Sequence, residues 1–151
     1  MIYKNITEFI EKLEEDRPII GLDIGTARIG IAVSDTRRVI ASPREVYTRR
    51  NISKDLGHIN KLATDENACA FVLGLPIDLQ GNEEDNCLVV RNCAEKLIKK
   101  TALPIYLQDE RMSTAAVTRS MQKSDMSRKK RQRVDDKLAA SYILQIVLDM
   151  R

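Results

Sequence analysis

The sequence predicts an α/β fold, a mixed sheet flanked by helices, on three observations. Residues 19–35 carry an apolar hairpin pattern; short apolar runs then alternate with segments of helical period; and pairs of acids stand near the ends of several of these elements. At 151 residues the chain is most simply one domain with a substantial core. Residues 1–17 read as an N-terminal helical extension and 124–133 as a mobile basic loop. There is no internal repeat. The apolar runs are far short of a membrane span, and the N-terminus lacks the basic-then-apolar order of a secretory signal, so a cytoplasmic protein with no membrane partner is expected.

The spacing of Phe9, Ile10 and Leu13 predicts a short amphipathic helix over Asn5–Glu15, capped by Asn5 or Thr7. Pro18 marks the entry into a strand. Along that strand Ile20, Leu22 and Ile24 share one face, and Ile19, Gly21 and Asp23 share the other. The returning strand alternates Ile29, Ile31 and Val33 with Gly30, Ala32 and Ser34, which leaves one face nearly bare and open to close approach. Gly25 and Gly30 suit the tight geometry of the connection. Asp35–Arg38 reads as a turn, and Val39–Ser42 as a third strand ended by Pro43.

Asn51–Asn67 is expected to be a helix, with Leu56, Ile59, Asn60 and Ala63 near one face and Ser53 as its cap. His58 falls on it and is left out of the site, since a sole helical histidine is most often a surface or partly buried residue. Ala68–Leu73 has the character of a buried parallel strand. It ends in Gly74-Leu75-Pro76, and Gly81 is a further turn signal. Asn82, Glu83, Glu84 and Asp85 make a good helix start, because acids favour the positive end of the helix dipole; that helix runs to Thr101. Leu103–Leu107 is a strand that delivers Gln108-Asp109-Glu110-Arg111 to its C-terminal end. Ser113 caps a helix through Lys123, and Val134–Met150 forms the last helix. Its spacing puts Asp136, Ala139, Ala140, Ile143 and Val147 on one face, turning Asp136 inward.

Asp23 sits in an apolar run, where an ionised carboxylate is costly unless something positive pairs with it; a divalent cation is one such partner. Functional groups gather near strand C-terminal ends in such sheets, so Asp23, the Asp109/Glu110 pair and the Asp135/Asp136 pair can converge. Converging carboxylates repel one another, and magnesium relieves this while leaving room in its shell for water and phosphate oxygens. A pair of such ions can activate water for phosphodiester hydrolysis without a protein nucleophile. Plainer readings stand beside this one: Asp135 or Asp136 as a helix cap, and Asp109 with Glu110 as a solvated loop. Arg28 and Arg111 either pair with these acids or hold a phosphate.

Cys69, Cys87 and Cys93 lack the spacing of a zinc site and read as free thiols of a reducing compartment. The formal net charge is only +3. Its distribution is informative, because Arg119, Lys123, Arg128, Lys129, Lys130, Arg131 and Arg133 crowd one segment with Asp125 as the sole acid among them. A charge run is most often a solvated surface, and that plain reading stands here too, but such a segment beside an acidic metal site suits nucleic acid, held by its backbone. The absence of Trp and the few Tyr and Phe argue against base stacking as the readout.

At these residues the chain resembles the YqgF/RuvX family of Holliday-junction-resolvase-like proteins, described as pre-16S rRNA nucleases. The resemblance runs from Ile19 onwards. It rests on Gly21-Leu-Asp23-Ile-Gly25-Thr26, Arg28-Ile-Gly30-Ile-Ala-Val-Ser34-Asp35, Gly74-Leu-Pro76 with Gly81, Asp109-Glu-Arg111 with Ser113-Thr114, and Asp136-Lys-Leu-Ala139-Ala140, in that order. It implies a ribonuclease H-like fold with a five-stranded mixed sheet, and a Mg2+- or Mn2+-dependent endonuclease. The implied role is trimming the 5′ end of precursor 16S rRNA in the cytoplasm, with ribosomal particles as further partners. By motif, Asp23, Glu110 and Asp136 become the metal-binding catalytic acids, with Asp109 and Asp135 as alternates. Arg28, Arg111, Arg128, Lys129, Lys130, Arg131 and Arg133 become the backbone contacts. Ala27 stands where a basic or polar residue is common, and Asn82-Glu-Glu-Asp85 where glycine turns are frequent. The alternatives are a junction resolvase on branched DNA, a non-catalytic nucleic-acid-binding protein, or, from the Asp-x-Gly-Thr turn, a relative of sugar kinases and actin-like ATPases. The last needs two lobes to enclose ATP. A monomer or weak homodimer is expected.

Overall fold

The isoleucine-rich hairpin forms the middle of the sheet. In the computed structural model, which describes residues 1–76, 85–109 and 128–150 with side chains over 1–76, 87–109 and 138–150, the order begins with strand β1 (Ile2–Tyr3), helix α1 (Ile6–Glu11) and strands β2 (Ile19–Ile24), β3 (Arg28–Ser34) and β4 (Ala41–Thr48). Helix α2 (Ile52–Asp65), strand β5 (Ala70–Leu75), helix α3 (Asp85–Leu97), strand β6 (Ile105–Asp109) and helix α4 (Arg128–Asp149) follow. The strands lie in the order β1-β6-β5-β2-β3-β4. β2, β3 and β4 are antiparallel neighbours, whereas β5, β6 and β1 extend the other side in parallel with β2.

Strand alternation divides the core in two. Ile20, Leu22, Ile24, Ile29 and Ile31 pack with Leu56 and Ile59 of α2 and Val90 and Leu97 of α3. Ile19, Ala32, Val72 and Phe9 pack on the opposite side with Ala140, Ile143, Leu144 and Val147 of α4. The bare face expected on β3 is the one that α4 covers. A Cβ added at Gly21 would lie 2.8 Å from Leu144 Cβ and 3.0 Å from the Ala140 carbonyl oxygen, so the absence of a side chain there sets how near the helix can come.

Several expectations are corrected. The sheet has six strands rather than five, because the N-terminal extension contributes a two-residue edge strand too short to show alternation. β4 continues through Pro43 to Thr48; it is an edge strand, and the register shift between Ile31 and Ala32 leaves Arg44 as an extra residue, an arrangement that accommodates proline. Asn51, not Ser53, caps α2, its side chain accepting from the Lys54 N–H at 2.9 Å. That helix ends in a Schellman motif: Asn67 adopts φ 56°, its N–H donates to Thr64 and the Ala68 N–H donates to Ala63. Residues 128–133 are helical rather than loop, since α4 begins at Arg128; arginine, lysine and glutamine are good helix formers despite their charge. The rest of the expected loop, the Gly81 turn, the Asn82 helix start and the Ser113–Lys123 helix lie outside the described residues. Cys69, Cys87 and Cys93 form no disulfide, as expected, and all three are buried.

Gly21→Ala is expected to cost about 1–3 kcal/mol of stability through overpacking against α4. A lower midpoint of urea unfolding with unchanged slope checks this.

Candidate active site

Asp23 is the next-to-last residue of β2, on the face shared with Ile19 and Gly21, and it pairs across the hairpin with Gly30. Gly30 brings no side chain up beside the carboxylate. Arg28, two residues earlier on β3, has the same face by alternation. The turn between them is closed by the Gly25 N–H donating to the Arg28 carbonyl at 2.8 Å.

Helix α4 crosses this face in a direction set by Gln145. Its Oε1 accepts from the Ala41 N–H and its Nε2 donates to the Val39 carbonyl, both at 2.9 Å. Ala41 pairs with Ser34, at the end of the hairpin remote from Asp23. With Ala140 and Leu144 over Gly21, the helix runs against β2 and its N-terminal turns advance toward the Asp23 end. From Ala140 back to Asp136 the axis advances about 6 Å. That matches the roughly 6.6 Å from Gly21 to Asp23 along an extended strand. Residue 136 falls on the helix stripe of Ala140 and Leu144, and residue 135 about 100° round from it.

The parallel strands bring a second polar residue to the same level. β2 pairs with β5 up to Leu22–Leu73, so Asp23 lies level with Gly74, which pairs with Gln108 of β6. Gln108 has the parity of Tyr106 and Val72, on the α4 face; Asp109 pairs with Leu75 and has the parity of Ile105 and Leu107, on the α2–α3 face. Alternation therefore gives Asp109 and Asp23 opposite faces. Glu110 and Arg111 lie outside the described residues, as do the side chains of Asp135 and Asp136.

Residues that the motifs did not single out hold the turn after Asp23. Arg49 donates from Nη1 to the Gly25 carbonyl at 2.9 Å and from Nε to Asp55 Oδ2 at 3.0 Å, while its backbone N–H donates to the Ala27 carbonyl at 2.9 Å. Asp55 is 1% exposed and also accepts from the Arg50 N–H at 2.9 Å and from the Tyr47 hydroxyl. Burial alone would raise its pKa, but the Arg50 amide, the Arg49 guanidinium and Tyr47 outweigh it and hold the carboxyl below the ordinary 3.8. A signal for it exists: Asp55 interrupts the apolar stripe of Ile52, Leu56 and Ile59, where an acid needs a buried partner. A cleft of about 530 Å³ opens beside this turn, lined by Thr26, Ala27, Thr48, Arg49, Arg50 and Asn51 among others. His58, left out of the site on its sequence, stacks on Tyr47 with centroids 4.4 Å apart and meets Glu45 Oε1 at 2.7 Å.

Among the described residues no group of three or more His, Cys, Asp or Glu side chains is assembled. The donors that are described nevertheless suit a hard divalent cation. Asp23 supplies a carboxylate at a strand end, and the amide oxygen of the buried Gln108 has no hydrogen-bond partner among the described residues. Oxygen donors of this kind fit magnesium or manganese rather than a thiophilic metal.

Comparison with known proteins agrees with this architecture. The family model described as "RuvX: Holliday junction resolvase" matches residues 17–150. The protein named "Putative pre-16S rRNA nuclease" from Anaplasma marginale (strain St. Maries) is 47% identical over 150 residues, covering 99% of this chain and 96% of its own. Its namesake from Ehrlichia ruminantium (strain Welgevonden) is 45% identical with the same coverage. Among solved structures, RuvC of T. thermophilus in complex with a Holliday junction substrate superposes with a TM-score of 0.55, covering 89% of this chain and 95% of that one at 12% identity. The last likeness is one of fold: a RuvC-like, ribonuclease H-type sheet flanked by helices.

Asp55→Asn is expected to destabilise the protein by about 3 kcal/mol, since it leaves the Arg49 charge uncompensated. The pH dependence has a definite sign. Asp55 and Asp35, the latter held low by the Ile40 and Val39 amides, have folded-state pKa values below 3.8, so their contribution is full above that value and is lost as pH falls through the lower ones. Acid titration of unfolding should therefore show a shallower acid limb in the Asp55→Asn variant than in wild type.

Proposed function

Because the chain belongs to the RuvX family of Holliday junction resolvases, we propose that it is a metal-dependent endonuclease that hydrolyses phosphodiester bonds in the 5′-end maturation of precursor 16S rRNA. The observation that carries the reading is the placement of Asp23 on the sheet face toward whose carboxylate end the N-terminal turns of α4, with Asp136, advance. Asp23, Glu110 and Asp136 hold Mg2+ or Mn2+, with Asp135 as the alternate to Asp136; strand alternation, which gives Asp109 the face opposite Asp23, favours Glu110 over Asp109 at the other pair. Bound there, divalent cations supply charge neutralisation at the reacting phosphate and lower the pKa of water.

The protein's own groups then position the substrate. Arg28 shares the face of Asp23, and with Arg111 it takes phosphate oxygens in bidentate fashion. Arg128, Lys129, Lys130, Arg131 and Arg133, in the first turns of α4, hold the flanking backbone. The Arg49–Asp55 pair keeps the turn after Asp23 in one conformation. The substrate is reached in the cytoplasm, on ribosomal precursor particles, by a monomer or weak homodimer; no helix among the described residues is long and apolar enough to cross a membrane. A second reading, a resolvase of branched DNA, is favoured by the family description and by the likeness to RuvC. It requires a dimer that cuts two strands symmetrically.

Labelled precursor 16S rRNA and a four-way DNA junction, each incubated with magnesium, manganese or chelator, separate these readings. Metal-dependent cutting of the RNA is expected, reduced more than about a hundredfold by Asp23→Asn. Symmetric cutting of the junction instead would assign the resolvase activity, and no cutting of either would leave a nucleic-acid-binding protein. Lys129→Gln with Lys130→Gln is expected to weaken RNA binding and to reduce the slope of log affinity against log salt by about 1.5. An unchanged slope in a fluorescence-anisotropy titration would remove the N-terminal turns of α4 from the interface.

A further inference from the structure

We propose that Gln108 is an additional residue of the cation site, its side-chain oxygen accepting from the hydration shell of the divalent cation that Asp23 binds. The inference rests on the metal-dependent reading above. Gln108 is 8% exposed, and its Oε1 is buried without a hydrogen-bond partner among the described residues. Its Nε2 donates to the Asp109 carbonyl of its own strand at 3.0 Å, which decides the two ends of the amide: the nitrogen is used and the oxygen is left over. A buried acceptor in that state costs the full desolvation of the group, so natural structures rarely keep one unless a ligand or ordered water completes it.

Its location says which ligand. The sheet register sets Asp23, Gly74 and Gln108 in one row across three neighbouring strands on the α4 face. Two strand spacings separate the outer two backbones, roughly 9.6 Å. Gly74 adds no side chain between them. A carboxylate and a neutral acceptor across such a gap suit a hydrated cation, which is bound through one or two carboxylates and presents water protons outward to further acceptors. Gln108 thus acts as a positioning residue that orders the cation's shell.

Thermal unfolding of the full chain in chelator and across a magnesium titration tests this, with Gln108→Leu, Gln108→Glu and Asp23→Asn beside wild type. Wild type is expected to gain stability with magnesium. The Leu variant should unfold in chelator at the same or a higher temperature, because the orphaned acceptor is gone, yet need several-fold to tenfold more magnesium for half of its gain. The Glu variant, which restores an acceptor, should recover the wild-type magnesium requirement. A Leu variant that melts lower than wild type in chelator, or that keeps the wild-type requirement, overturns the role of Gln108 even while wild type responds and Asp23→Asn does not. A wild type with no magnesium response overturns this proposal together with the metal site itself, while loss of response in Gln108→Leu alone supports it.

Discussion

The approach of α4 to the middle of the sheet is the constraint on which the carboxylate end depends. Leu144 and Ala140 meet β2 where Gly21 has no side chain, and Ala32 offers only a methyl group on the neighbouring strand. Because packed interiors tolerate little excess volume, these small residues set the depth of the helix as well as its axial position. Depth and axial position together decide where residue 136 falls relative to Asp23. A larger residue at 21 would keep the same topology and hold the backbone of α4 farther from β2.

The other wall of the site is stiffened differently. A turn of residues 25–27 has few apolar atoms with which to hold itself, and the Gly25–Arg28 hydrogen bond fixes only its base. Arg49 ties two carbonyls of that turn to β4, and Asp55 anchors the guanidinium from the start of α2. An ion pair this buried contributes little net stability against an apolar equivalent, so its value lies in specifying one arrangement of three elements. Polar groups are the right means here, because backbone carbonyls at a solvent-facing turn need donors rather than hydrocarbon.

The sequence displayed the central hairpin and both sheet faces plainly, because Ile20, Leu22 and Ile24 alternate with Ile19, Gly21 and Asp23 over a full strand. What escaped it had weak or misleading local signals. Two residues of β1 show no period, and Pro43 marks an end in most strands but not on an edge beside a bulge. The cations at 128–133 resemble loop by composition, although their helix propensity is high. Within the site, Asp23 was visible as a charge in an apolar run. Asp55 had the same kind of signal on a helix stripe. Gln108 had none, because its significance comes from register across β2, β5 and β6, which only the paired sheet reveals.

Charge at the start of α4 runs against what helix stability alone would select. Cations near a helix N-terminus are unfavourable by about 0.3–1 kcal/mol each, and the first turn of α4 has no acid to offset them. Five of the six residues at 128–133 are basic, while the formal charge of the whole chain is only +3. At the sheet end toward which those turns advance, the opposite charge is represented by Asp23, set in an otherwise apolar strand. On the proposed reading, divalent cations neutralise the acids of the site and a polyanion neutralises the basic turns. On that same reading, a phosphodiester backbone accompanied by divalent ions meets both requirements at once, which neither a neutral ligand nor a metal alone would do.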